Sequence, residues 1–567
     1  MSGSKSLVPL VLVAQLIGSS AQAADGSTVF FSRPVNVSQT VKGTFPHSVR
    51  VVLDTTGNIN VVWADYRCLP EPPYTCSWHL FYSRSVDGAA RFSTPRDIAN
   101  QQGSQPIFGP QIGVGKRGQI GIVWEQSVSG GWEIYFSQSL DGGATFSAPH
   151  MISDYRGLAV DPQLAIDSAG NVNIVWQTQD FFNSNAWSIW FARSADAGAH
   201  FSSPKNLCAP GATCNWPRIA AEPTGAVDIV WAASPCTDCS YDVFFTRSTN
   251  GGVTFASDRN LSNSPDGLFT APQLTVSPRG TINVVWSKGD SYSGLSSIFY
   301  SGSDNQAASF ATLNVSTLQG RAYFPLVFAR TDNNVDVFWH DDMVGGIFYS
   351  HSADQRAWFS QPSSVSSFTR SFNPDAYVNV DRRNNVSLVW EEFTASGSGI
   401  AFSRSTDGGA TFSGGQLFSS ASFLYQSQVA ADTAGNLVVT WLSDGAGVED
   451  IFLSRGVSID SIREDLAGAP LAVFRNAGQR RATLNALSRV ESALVEGDEQ
   501  RAVAYLDDML EHVNRCGGSA ENDWLIDCGT QRRIENSLQI LRATLLARLS
   551  EPGGSNRWLR SRLTGQR

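Results

Sequence analysis

Between residues 28 and 456 the chain is built from short apolar runs broken by Gly, Asp and Asn. The most regular run ends in tryptophan, as in "INVVW" (59–63), and recurs at Trp63, Trp124, Trp176, Trp231, Trp286, Trp339, Trp390 and Trp441, spaced 51 to 61 residues apart. Ahead of each lies another run, such as "PQLAID" (162–167), which reaches the turn "SAGN" before "VNIVW". Behind each comes a third run, such as "LFYSRS" (80–85), and a fourth opens on a phenylalanine, as in "FSAPHMIS" (146–153). Short runs joined by tight turns predict antiparallel strands, four to a repeat.

Four strands in a repeat of about 50 residues are the grammar of a β-propeller blade. The expectation is a mainly β fold: an eight-bladed propeller, or seven-bladed if the degenerate copy near 301–310 is not a blade of its own. The eighth copy stops after its third strand, "IFLSR" (451–455), whereas "FFSRPVNVS" (30–38) matches a fourth strand in pattern. The N-terminal strand is therefore expected to complete the last blade, giving a propeller over 28–456. From about 457 the period changes. Leu484, Leu487, Val490 and Leu494, then Leu506, Leu510 and Val513, fall at helical spacing. Gly497 ends one helix, Asp498 caps the next, and a third is expected from about Thr530 to Leu549. An α-helical module is thus predicted over 457–550, followed by a flexible basic tail over 551–567.

Between the third and fourth strands stands a ten-residue motif: "SRSTDGGATF" (403–412), "SRSVDGAARF" (83–92), "SQSLDGGATF" (137–146), "ARSADAGAHF" (192–201) and "TRSTNGGVTF" (246–255), with weaker copies at 301–310 and 350–359. This Ser-x-Asp-Gly-Gly-x-Thr-Phe pattern resembles the Asp box of bacterial neuraminidase repeats, and the chain resembles the sialidase-like propeller superfamily over about 28–456. The carboxylates Asp87, Asp141, Asp196, Asp354 and Asp407 suit a turn whose N–H groups need an acceptor, and Gly accepts the positive φ. Asn250 and Asn305 replace two of them. Asparagine caps a turn but makes a poor catalytic carboxylate, so the role expected is structural.

Antiparallel geometry puts these turns and the Gly-Asn turns at one end of the blades. The loops joining second to third strands and the links between blades lie at the other. The resemblance implies an active site at that second end. There, aligned inner strands place Arg50, Gln111, Gln163, Arg218, Gln273, Leu326, Tyr377 and Gln428 at the mouth of the channel. Asp65 and Arg67, Glu125, His340 with Asp341 and Asp342, and Glu391 with Glu392 follow the tryptophans. The resemblance implies arginines gripping a sugar carboxylate (Arg50, Arg218, Arg67), a tyrosine nucleophile paired with Glu (Tyr377, Glu391) and an acid/base Asp65. Gln111, Gln163 and Gln273 would add ligand contacts. An Arg fork suits a carboxylate because it donates two parallel bonds. The sequence lacks the Arg-Ile-Pro of the first sialidase arginine; "WPRIA" (216–220) is its nearest match.

Composition narrows the partners. A net charge of −10 argues against nucleic acid. Residues 1–23 read as a signal peptide: Lys5, an apolar run from Leu7 to Ile17, then Ala21-Gln22-Ala23. No later run is long enough to span a membrane, so a secreted, periplasmic or cell-surface protein is expected. Eight cysteines fall as near neighbours, Cys68 with Cys76, Cys208 with Cys214, Cys236 with Cys239 and Cys516 with Cys528, and local disulfides are the economical reading. The seven His do not cluster at ligand spacing, so no metal or other cofactor is expected. Three functions compete: binding of a glycan or extracellular protein at the loop end, exo-acting glycoside hydrolysis, and a protein-interaction scaffold.

Overall fold

The computed structural model describes residues 27–550 apart from short stretches, among them 69–75, 236–239, 353–357, 367–376 and 514–522. The segments 1–23 and 551–567 lie outside the described residues, as do Cys236, Cys239, Asp354 and Cys516.

The chain is mainly β, and its common unit is a four-stranded antiparallel sheet. The first unit runs Thr44–Leu53, Ile59–Cys68, Cys76–Ser85, Arg96–Asp97. Units two and three share one eight-stranded sheet through a single parallel bridge, Leu158 to Trp132. The last unit takes its inner three strands from Leu424–Ala431, Leu437–Ser443 and Asp450–Val457. Its outer edge comes from the far end of the chain: Phe30 pairs with Val457, Phe31 with Gly456, Val35 with Leu453 and Asn36 with Phe452. Counted in chain order, the inner strand of each unit packs beside that of the next, and the inner strand of the last packs beside Thr44–Leu53.

The second strands are apolar on both faces because each is covered from both sides. In Ile59–Trp63 every residue is buried, and the tryptophans at 63, 124, 176, 231, 286, 390 and 441 are almost wholly enclosed. At seven boundaries an aromatic of one unit's third strand meets the phenylalanine that opens the next unit's fourth strand. The pairs are Tyr82–Phe146, Phe136–Phe201, Phe191–Phe255, Phe245–Phe310, Tyr300–Phe359, Tyr349–Phe412 and Phe402–Phe31. Their centroids lie 4.8 to 5.1 Å apart with edge-on tilts of 61 to 81°. At the remaining boundary Leu453 and Phe92 share one core.

The ten-residue turns show why their glycines are paired. Gly409 has φ +86°, and a Cβ there would collide with the Tyr349 hydroxyl of the preceding unit. The turn carboxylates bond within their own loops: Asp141 Oδ1 accepts from Ser139 Oγ (2.8 Å) and Thr145 N (2.8 Å). Asn250 does the same with Ser248 Oγ (2.9 Å) and Thr254 N (2.9 Å). Those bonds hold the Asp141 carboxyl down at about 2, the Thr145 hydroxyl contributing most.

Among the described residues four α-helices follow, α1 (Ile459–Gly468), α2 (Ala477–Val495), α3 (Glu499–Glu511) and α4 (Cys528–Ser550). Leu487, Val490, Leu494, Leu506 and Val513 are buried in their shared core, Leu484 and Leu510 pack at its edge, and Asp498 caps α3 by accepting from Arg501 N. Helix α1, which the spacing did not predict, is short and begins at a capping box on Ser458 and Ser461. The helical core includes Phe30 and Val457, so it grows directly from the edge of the last unit. Polar contacts dock the helices on the turn end of the sheets: Arg383 with Glu464, Asn436 with Asp465 (2.9 Å), and Asn536 with the Gly88 carbonyl. Among the described residues no helix is long and apolar enough to cross a membrane.

Candidate functional site

At the loop end, the register gives the eight mouth residues one equivalent position. Arg50 pairs with Val62, Gln111 with Val123, Gln163 with Val175, Arg218 with Val230, Gln273 with Val285, Leu326 with Phe338, Tyr377 with Val389 and Gln428 with Thr440. Each of those second-strand residues lies just ahead of its tryptophan. Neighbouring units are tied through this position. Arg50 Nε donates to Gln111 Oε1 (3.4 Å), Arg218 Nε to Gln273 Oε1 (3.3 Å) and Gln428 Nε2 to the Tyr377 hydroxyl (3.4 Å). Arg50 Nη1 also holds the Val49 carbonyl and Arg218 Nη1 that of Pro217, both at 2.9 Å. The two arginines are thus braced in the same way. Burial holds Arg218 down from its ordinary value; Asp161 opposes this and Arg50 adds to it.

A bulge lies just before the mouth position in six inner strands, and its first residue is left-handed: Ser48 (φ +54°), Gly109 (+55°), Asp161 (+54°), Trp216 (+56°), Phe324 (+53°) and Gln426 (+53°). Such bulges leave a backbone N–H outside the ladder, and in four of the six a side chain of the preceding unit collects it. Glu125 Oε2 accepts from Asp161 N (2.9 Å), Gln177 Oε1 from Trp216 N (2.8 Å) and Gln426 Oε1 from Ser48 N (2.6 Å). Glu391 Oε1 accepts from Ser427 N (3.3 Å). Burial pushes the Glu125 carboxyl up to about 7, against the pull of the Asp161 N–H.

The other named residues separate into two groups. Tyr377 and Glu391 lie on adjacent strands, with Glu391 two residues beyond Val389, the partner of Tyr377, so they share a face as diagonal neighbours. Asp65 is buried in unit one, bonded to Arg67 Nε (2.8 Å) and Phe45 N (3.2 Å). Burial raises its carboxyl and Arg67 opposes the rise. The Arg67 guanidinium itself lies 3.9 Å over the Phe81 ring. Beside them Ser77, His79 and Asp97 form a bonded row, 2.7 Å at each step. Disulfides join Cys68 to Cys76 across the hairpin of unit one and Cys208 to Cys214 at the start of the inner strand of unit four, Thr213–Ala221. Cys528 is also disulfide-bonded.

No family model matches this chain, and no curated protein does. Solved structures do. A Hadza microbial sialidase is 12% identical over 76% of this chain and 96% of its own, with TM-score 0.37. A Streptococcus pneumoniae sialidase is 10% identical over 76% and 98%, with TM-score 0.36. An ulvan lyase of polysaccharide lyase family 25 is 11% identical over 62% and 93%, with TM-score 0.43. What those proteins act on is a property of theirs.

Sequence spacing missed Asp161 and Gln177, which join the mouth through each other (Gln177 Nε2 to Asp161 Oδ2, 2.8 Å). A signal was present: Asp161 and Trp216 each stand just before a proline within an otherwise strand-like run. Among the described residues no group of three His, Cys, Asp or Glu is arranged to hold a metal.

Proposed function

We propose that the chain is an exported eight-bladed propeller of the sialidase-like type, closed by its N-terminal strand, whose ten-residue turns are Asp boxes. Supporting the blade count are the recurring aromatic pair at the unit boundaries and the packing of the last inner strand on the first. Supporting export are the disulfides of the loop end. On this reading the loop end binds a glycan carrying a carboxylate or sulfate.

The observation that carries the ligand class is the matched bracing of Arg50 and Arg218. Each has Nε and Nη1 fixed by neighbours, and Nη2 takes no bond among the described residues. A guanidinium oriented in advance loses little freedom when it meets an anion. Binding to a glycan array should be confined to acidic sugars and fall at least tenfold in Arg50→Ala and in Arg218→Ala. Equal binding to neutral sugars, or no change in either variant, refutes the reading.

A second reading, exo-acting hydrolysis of a sialoside, is favoured by the diagonal placement of Tyr377 and Glu391, with Asp65 as acid. Turnover of a fluorogenic sialoside that disappears in Tyr377→Phe supports it. Absence of turnover, or turnover that survives the substitution, removes it.

A further inference from the structure

The hairpin of unit one, Ile59–Cys68 with Cys76–Ser85, projects at the loop end, and its two faces differ in chemistry. Asp65, Arg67, Ser77 and His79 occupy one face and are bonded among themselves and to Asp97. Tyr66 and Trp78, directly opposite each other in the ladder, occupy the other. From them an unbroken row of rings crosses to unit two. Phe45 lies 6.5 Å from Tyr66, Tyr66 4.9 Å from Trp78, Trp78 4.9 Å from Phe108 and Phe108 5.5 Å from Trp132; His47 is 5.0 Å from Trp78 and 5.1 Å from Phe108. None of the six is buried; Phe45 is 47% exposed and the others are half-buried.

The row and the mouth share the same two strands. His47 and Arg50 flank the bulge of Thr44–Leu53, and Phe108 and Gln111 flank that of Ile107–Val114. The surface where units one and two meet is therefore cationic and hydrogen-bonding at its inner end and aromatic outward from it. From Arg50 to Phe45 the strand covers about 15 Å, room for more than one pyranose ring. Sugar rings present a face of C–H bonds that packs on aromatic planes, while their hydroxyls and acid groups need polar partners. The Cys68–Cys76 bridge clamps the hairpin that carries Tyr66 and Trp78, so the platform exists before a ligand arrives.

We propose, resting on the acidic-glycan reading above, that this surface is an extended subsite, and that the ligand is an acidic oligosaccharide whose anionic group meets Arg50 while the adjoining sugars stack on Trp78 and Phe108. The test is calorimetric titration of the full chain with galacturonic acid, tetragalacturonate, a heparin tetrasaccharide and neutral cellotetraose, alongside a proline-rich peptide as a competing kind of chain. An acidic tetrasaccharide should bind at least about tenfold more tightly than the monomer, the gain that roughly 1.4 kcal/mol of stacking gives. Trp78→Ala should erase that gain, Trp78→Phe should keep most of it, and Arg50→Ala should weaken monomer and tetramer together. Melting curves of each variant identify any that fails to fold, and Phe108→Ala then reports on the platform independently. If chain length brings no gain, or Trp78→Ala and Phe108→Ala both leave the gain intact, the subsite falls while acid recognition at the mouth stands. If Arg50→Ala changes nothing, or no acidic sugar binds, both readings fall. If the peptide binds in a Trp78-dependent way and the saccharides do not, the occupant is a protein segment.

Discussion

At the turn end of the sheets each unit nearly copies its neighbour, and its polar groups are spent on one another. Arg330 shows the pattern: with 5% of its side chain exposed, it bonds Asp336 of its own unit and the Gly408 carbonyl of the next. The helices then cover part of this end. At the loop end the same strands carry four kinds of side chain at one equivalent position: Arg, Gln, Gln, Arg, Gln, Leu, Tyr and Gln at the mouth. One end is constrained by repetition because every boundary has the same shape to fill. The other is released from repetition because only the bulge N–H groups must be collected, and Glu or Gln serves equally.

That contrast can be broken deliberately. The largest effect is expected from Arg330→Ala, which leaves the fully buried Asp336 carboxylate without its cation and with the Tyr349 hydroxyl as its remaining donor. Urea unfolding should show a loss of about 3–5 kcal/mol, and a loss below 1 kcal/mol would mean that the turn end does not depend on this tie. Next, Gly409→Ala, with its positive φ and the Tyr349 hydroxyl in the way, should cost roughly 1–3 kcal/mol. Gly118→Ala also has a positive φ but open space, and should cost only the backbone strain, about 1–2 kcal/mol.

Glu125→Gln sharpens the comparison, because Gln177 makes the equivalent bond one unit later. A carboxyl whose folded value is raised from 4.5 to about 7 adds its full stability below pH 4.5 and loses it as pH climbs through 7. The native chain should therefore weaken between pH 5 and pH 8 by on the order of 1–3 kcal/mol from this group. Glu125→Gln should flatten that slope, read from urea midpoints at the two pH values; an unchanged slope would show that Glu125 stays charged. The smallest effect is expected from Asp141→Asn, whose product already exists at Asn250. At neutral pH little should change. Because the Asp141 carboxyl is depressed to about 2, its contribution is present above the ordinary 3.8 and fades as pH falls toward 2. The variant should accordingly be less sensitive to acid, as followed by circular dichroism.

The repeating features were readable because they repeat: eight tryptophans and the Asp-Gly-Gly turns announce strands and register with no help from the fold. Helix α1 was not legible, since ten residues with Ile459, Ile462 and Leu466 as their apolar positions make too short a stripe. The bulges were legible only in part: a proline follows Gly109, Asp161, Trp216 and Phe324, but Ser48 and Gln426 carry neither that proline nor a residue type that advertises a positive φ. The aromatic row was invisible for another reason. Phe45, Tyr66, Trp78, Phe108 and Trp132 sit on five different strands and become neighbours only when two units pack.

The pairing of Phe30–Phe31 and Val35–Asn36 with Asp450–Val457 also sets the order in which a ribosome can deliver a finished molecule. The strand at Phe30–Phe31 has no ladder to join until more than 400 residues later. Closing so long a loop costs little more free energy than closing a short one, but the strand must wait through the whole synthesis. During that wait its free edge is open to the unfinished last unit of another copy, and an exchanged dimer is the characteristic error of such a chain.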